Sequence, residues 1–135
     1  MAAIEPNEIR PGLNVFLDAA LLSTLPGVLS NTRVVAQNNR AADDFRPFLI
    51  VEVDEDGVCL CAPLFSRFAR DRIELDQSLK TGPGRGWSER LSYFSPYQFW
   101  MIPSDCLIAA SAREMNAVGR RQRYGDHAPD ALAPI

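Results

Sequence analysis

The residues best equipped for chemistry lie on either side of one hairpin. Arg46 stands immediately before Pro47, at the mouth of the run Phe48-Leu-Ile-Val, where core packing has no use for a guanidinium. Ser66 comes just past the returning run, Val58-Cys-Leu-Cys-Ala-Pro-Leu-Phe, and Arg67, Arg70 and Arg72 follow it. A guanidinium is a planar fork of donors that grips two oxygens of one anion, and with a pKa above ~12 it cannot serve as a base. A neighbouring hydroxyl can position a phosphate or relay a proton. The pattern suits recognition of an oxyanion at one end of a β structure. Two plainer roles compete with it. Arg46 could pair with Asp43 or Asp44, and the arginine run, broken by Asp71, could be a solvated loop.

Metal and thiol chemistry have little to build on. The three cysteines are an odd number, and Cys59 and Cys61 alternate with Leu60, so both point to one face of a strand and cannot easily bond to each other. They read as buried structural thiols. The one histidine, His127, lies in a proline-containing stretch away from them, and no ligand cluster with zinc spacing is present. No metal and no cofactor are expected.

The elements that must hold these residues are short. Phe48–Val53 and Val58–Phe65 flank Asp54-Glu-Asp-Gly, an acidic turn ending in glycine, the mark of an antiparallel hairpin. The first run is apolar at nearly every position, which places it inside the fold, not on an edge. Leu13–Leu17 reads as a strand after Pro11-Gly12, and Ala19–Leu22 as a helical turn stopped by Pro26-Gly27. Arg33–Gln37 reads as a strand, Asn38–Asp44 as a polar loop, Ile73–Leu75 as a strand and Thr81–Gly86 as a flexible loop. Trp87–Phe94 and the aromatic run Tyr97–Ile102 supply further strands, and Asp105–Ala110 reads as one more. Ser111-Ala-Arg-Glu114 forms a capping box, predicting a helix from Ala112 to about Arg123.

The chain of 135 residues is thus expected to be one domain over residues 1–123, mainly β with a C-terminal helix, and a flexible tail over 124–135. Five to seven antiparallel strands would make a small β-barrel. The net charge of −3 is unevenly spread: residues 1–60 hold four arginines and nine acids, residues 61–135 ten basic groups and eight acids. That asymmetry allows a basic face on an acidic protein. No apolar run reaches the ~18 residues a membrane span needs, and no basic-then-apolar opening marks a secretory signal, so a cytoplasmic location is expected.

The order of these features resembles the MazF/PemK-like toxins over about residues 9–120. The most specific points are Arg46-Pro47 with its strand and the Ala62-Pro63-x-x-Ser66 turn; Leu91-Ser-Tyr-Phe94 and Ser111-Ala-Arg-Glu-Met-Asn-Ala-Val118 follow in the same order. The resemblance implies an SH3-like barrel, usually a homodimer. It also implies a metal-independent endoribonuclease acting on single-stranded RNA and neutralised by an antitoxin peptide. The family's catalytic arginine falls on Arg46. Its catalytic threonine position falls on Phe65, and Ser66 is the nearest hydroxyl, one position late. Cleavage through the ribose 2′-hydroxyl builds charge on phosphorus, which Arg46 would stabilise with Ser66 as substitute hydroxyl. Phe65 would stack on a base, and Arg67, Arg70 and Arg72 would meet phosphates. Three functions stay open: an RNA-cleaving toxin, a catalytically degenerate barrel that binds RNA or a protein partner without cutting, and an unrelated adaptor, for example from a mobile element. The aromatic run 93–101 exceeds what so small a domain readily buries, which also argues for a homodimer.

Overall fold

The structure, a computed structural model, describes residues 4–30, 45–82, 87, 89–111 and 123–124. The expected strand Arg33–Gln37, the loop Asn38–Asp44, residues 83–86 of the loop Thr81–Gly86 and nearly all of the expected helix Ala112–Arg123 lie outside these residues. So does the tail beyond Tyr124.

In chain order the elements are β1 (Asn14–Asp18), α1 (Ala19–Leu22), β2 (Leu29–Ser30), β3 (Phe45–Val53), β4 (Val58–Phe65), β5 (Ile73–Glu74), β6 (Lys80–Thr81), β7 (Tyr93–Phe94), β8 (Trp100–Pro103), α2 (Ser104–Ala110) and β9 (Arg123–Tyr124). Short 3-10 turns cover Pro6–Glu8 and Gln77–Leu79. The protein is mainly antiparallel β sheet with a helix toward its C-terminal end.

The β3–β4 hairpin is the centre of the fold, and its turn chemistry is local. Asp54 Oδ1 accepts from the backbone N–H groups of Asp56 (2.9 Å) and Val58 (2.8 Å), and Gly57 supplies the positive φ of +79° that closes the turn. A β-bulge between Ile50 and Glu52 leaves Val51 as the extra residue, so Val53 regains the face of Phe48 and Ile50.

Cores form on both faces of this hairpin, which is why its first strand is apolar almost throughout. Phe48, Ile50, Cys59 and Cys61 face one cluster with Leu13, Val15 and Leu17 of the β1 segment, Trp100, and the helices' Leu22 and Leu107. Leu49, Val51, Ala62 and Leu64 face a second cluster with Leu75, Trp87, Phe94 and Tyr124.

The expected closed barrel does not form among the described strands. β4 is eight residues long and divides its free edge: Val58–Cys61 pair with β8, whereas Leu64 and Phe65 pair with β7. The sheet path β1-β3-β4-β7-β5 therefore splits, with β8 and β2 branching from β4, and β1 and β5 stay unpaired to each other.

Residues 105–110, expected as a strand, are helical. Pro103 ends β8, Asp105 favours the first helical turn, and the buried Leu107 and Ala110 recur at i, i+3 instead of alternating. Six residues were too few for the alternating pattern to be told from the helical one. Ser111 also ends this helix, its N–H donating to Leu107 O (3.0 Å) and Ile108 O (3.1 Å); the helix it is expected to open lies outside the described residues. Its buried hydroxyl accepts from Ile4 N (2.9 Å) and donates to Ile108 O (2.8 Å), tying the N-terminal arm to the helix end.

Within the aromatic stretch Tyr93, Phe94 and Trp100 are buried and Phe99 is half-buried, while Tyr97 and Met101 are exposed. Tyr124, placed at the start of the tail by sequence, is buried in the second core, and its hydroxyl accepts from Asp76 N (2.8 Å). No helix among the described residues is long and apolar enough to cross a membrane.

Candidate functional site

One row of side chains crosses the sheet where β4 ends. Strand pairing sets Phe65 opposite Tyr93, and Tyr93 opposite Glu74. The β3–β4 pairing ends at Phe48 opposite Pro63, two residues short of Arg46 on one strand and of Phe65 on the other. Arg46 is opposite Leu17 on its other side and is half-buried. The expected arginine and the residue at the threonine position thus lie at the same end of the hairpin. Ser66 does not join the row: the chain leaves the sheet there, and Ser66 is exposed on the following loop.

That loop, residues 66–72, folds back over the row and is pinned at three points. The Arg72 guanidinium carbon lies 3.7 Å from the centroid of the Phe65 ring, a cation–π contact, while Arg72 Nη1 donates to Arg67 O at 3.0 Å. Phe68 meets Tyr93 edge to face, with ring centroids 6.1 Å apart at 75°. Buried Ser95 donates its hydroxyl to Asp71 Oδ2 (3.1 Å) and accepts from Tyr97 N (3.2 Å).

The loop's charges are therefore of two kinds. Arg67 and Arg70 are exposed and Arg72 is half-buried against an aromatic ring. Phe68, 74% exposed, and Tyr97, 69% exposed, add two aromatic rings to the same surface. Such a surface offers planes for stacking and cations for phosphates. Among the described residues, the groups on this row that could exchange a proton are the Tyr93 phenol and the Glu74 carboxylate on the far strand.

Sequence reading missed Phe68 and the Asp71–Ser95 pin. The signal for Phe68 was a lone aromatic between Arg67 and Arg70, where no alternating pattern buries it. The pin joins residues 24 apart and leaves no local trace.

A second polar centre lies on the far side of β7. Lys80, the single lysine among 14 basic residues, donates to Trp87 O (3.1 Å), Arg90 O (2.9 Å) and Ser92 Oγ (2.9 Å), and its ammonium lies 4.3 Å from the Trp87 ring centroid. Three acceptors converging on one point suit an ammonium and not a planar guanidinium. Burial pushes the Lys80 amine down to about 8, with the Glu74 carboxylate pulling the other way. All three of its protons are committed, so it is a structural clamp.

The cysteines stand apart from both centres. Cys59 and Cys61 are buried and unbonded, and burial raises the Cys59 thiol to about 11 and Cys61 well above its ordinary value. Cys106, half-buried, directs its thiol at Pro26 O, 3.8 Å away. Among the described residues no group of three or more His, Cys, Asp or Glu side chains could hold a metal ion.

Comparison of the chain with protein-family models, with curated proteins and with solved structures gives no match.

Proposed function

We propose that this protein binds single-stranded RNA on the face formed by the end of β4, β7 and loop 66–72, and that it holds the RNA without cutting it. The observation that carries this reading is the Arg72 guanidinium seated 3.7 Å from the Phe65 ring centroid, beside the Phe68–Tyr93 pair and the exposed Arg67 and Arg70. Aromatic planes interleaved with cations meet both needs of a single strand: bases stack, and phosphates pair with charge. The order of β1, the β3–β4 hairpin, β7, β8 and a closing helix supports kinship with the SH3-like MazF/PemK type. Retained Arg46 with Phe65 in place of a hydroxyl supports a member that has lost cleavage. Arg46 can hold a phosphate but cannot take a proton from a 2′-hydroxyl.

Fluorescence anisotropy with a labelled 12-nucleotide RNA tests the reading, with the same samples run on a denaturing gel. Binding that weakens with salt and leaves the RNA intact is the expected result. Replacing Arg67 and Arg70 together by alanine should lower the slope of log K against log [salt] by about 1.4, since each phosphate contact on a single strand contributes ~0.7. No binding at low salt would refute it. Cleavage that survives EDTA and disappears in Arg46→Ala would replace it with the endonuclease reading, in which Ser66 supplies the hydroxyl.

A further inference from the structure

We infer that the stacking platform of this site is the outward face of the Arg72 guanidinium and not the Phe65 ring. This rests on the RNA-binding reading and specifies how that surface takes a base.

The separation decides which group an incoming base meets. Carbon atoms in contact lie about 3.5–4.0 Å apart, so a guanidinium carbon 3.7 Å from the ring centroid sits almost directly above the middle of the ring. That face of the ring is covered, and a base arriving from this side reaches the guanidinium first.

Arg72 is also held as a platform must be. Its Nη1 is fixed to Arg67 O at 3.0 Å and its backbone N–H to Ala69 O at 3.0 Å. Its Nε is buried and makes no hydrogen bond, so packing turns that edge of the fork inward. The preceding residue, Asp71, is anchored to Ser95. A planar cation clamped in this way presents a flat face at little ordering cost, and guanidinium planes stack on nucleobases as aromatic rings do. Phe65 beneath it acts as a positioning residue. Phe68, exposed and braced on Tyr93 one strand away, provides a side wall.

The test separates plane from charge. The probes are labelled 12-mer oligouridylate and an abasic 12-mer of the same backbone, titrated into the full chain by anisotropy, with circular dichroism as a check on folding. Wild type is expected to prefer the oligouridylate. Arg72→Lys, which keeps the charge and loses the plane, should weaken oligouridylate about tenfold, the worth of one stacked base. Its salt slope and its abasic affinity should be unchanged. Arg72→Gln, which keeps a planar group without charge, should retain part of the preference while its salt slope falls. If Arg72 is instead a lid over Phe65, Arg72→Lys will bind oligouridylate as tightly as wild type or more tightly, which overturns the inference. Equal wild-type affinity for the two probes also overturns it while leaving RNA binding standing. A wild type that binds neither probe overturns both.

Discussion

Ser111→Ala removes one oxygen and should cost about 2 kcal/mol of folding stability. The hydroxyl is fully buried and serves two partners, accepting from Ile4 N at 2.9 Å and donating to Ile108 O at 2.8 Å. The Ile108 carbonyl keeps a second donor, the Ser111 backbone N–H at 3.1 Å, so that side of the loss is small. The Ile4 N–H belongs to a residue only 1% exposed, and an abandoned buried donor costs about 1–3 kcal/mol. Urea unfolding followed by the fluorescence of Trp87 and Trp100 measures this. With a slope of roughly 2 kcal/mol/M, the midpoint should fall by about 1 M at unchanged slope. Hydrogen exchange at the Ile4 amide should accelerate at the same time. If the serine served only to open a following helix, the Ile4 amide would be untouched. A midpoint shift under about 0.3 M with Ile4 protection intact would refute the link between the arm and the helix end.

Lys80 makes stability depend on alkaline pH with a definite sign. Its folded value of about 8 lies below the ordinary 10.5, so the folded protein releases the proton first. Between those values the unfolded chain carries more protons, and stability should rise with pH through that window. Between pH 7.5 and 9.5 the urea midpoint of wild type should therefore rise relative to that of Lys80→Met, the raised Cys59 and Cys61 thiols pulling both proteins the other way alike; parallel profiles would remove the claim. Gly57→Ala should destabilise by about 1–2 kcal/mol, because its φ of +79° is left-handed and a Cβ there would lie 3.2 Å from Ser104 Oγ. An unchanged thermal midpoint would contradict this.

What could be read from the sequence was what the chain settles over short distances. The hairpin was legible because Asp54 and Gly57 carry their turn geometry themselves. The shared face of Cys59 and Cys61 followed from the two-residue period, and α1 from the Ala19–Leu22 run stopped by Pro26-Gly27. Residues 105–110 misled because Leu107 and Ala110 reveal their period only once the helix has a partner to face. The open sheet was not legible either: nothing in Val58–Phe65 says that its two ends take different neighbours. At the candidate site, Arg46 and Phe65 were singled out individually, but the neighbour of Phe65 across the sheet, Tyr93, depends on register. The Arg72–Phe65 contact depends on a loop held by Ser95. Ser66 was legible as lying just past the returning run, but not as exposed on a loop that turns back, which depends on contacts across the sheet.

The two-faced hairpin has a consequence for how the molecule opens. Phe48 and Leu49 are neighbours in the chain, yet they feed different cores, as do Cys61 and Ala62. Each core is closed on its far side by separate pieces: the arm, α1 and α2 on one face, and the 73–75 segment, Trp87 and Tyr124 on the other. Either set can detach while the hairpin still holds the other, so amide exchange should divide the protein into two cooperative units sharing one slow-exchanging ribbon. The 66–72 loop hangs from the end of that ribbon through Phe65. Its motions are then coupled to the opening of the second unit, through Tyr93 and Ser95, and are insulated from fraying of the N-terminal arm.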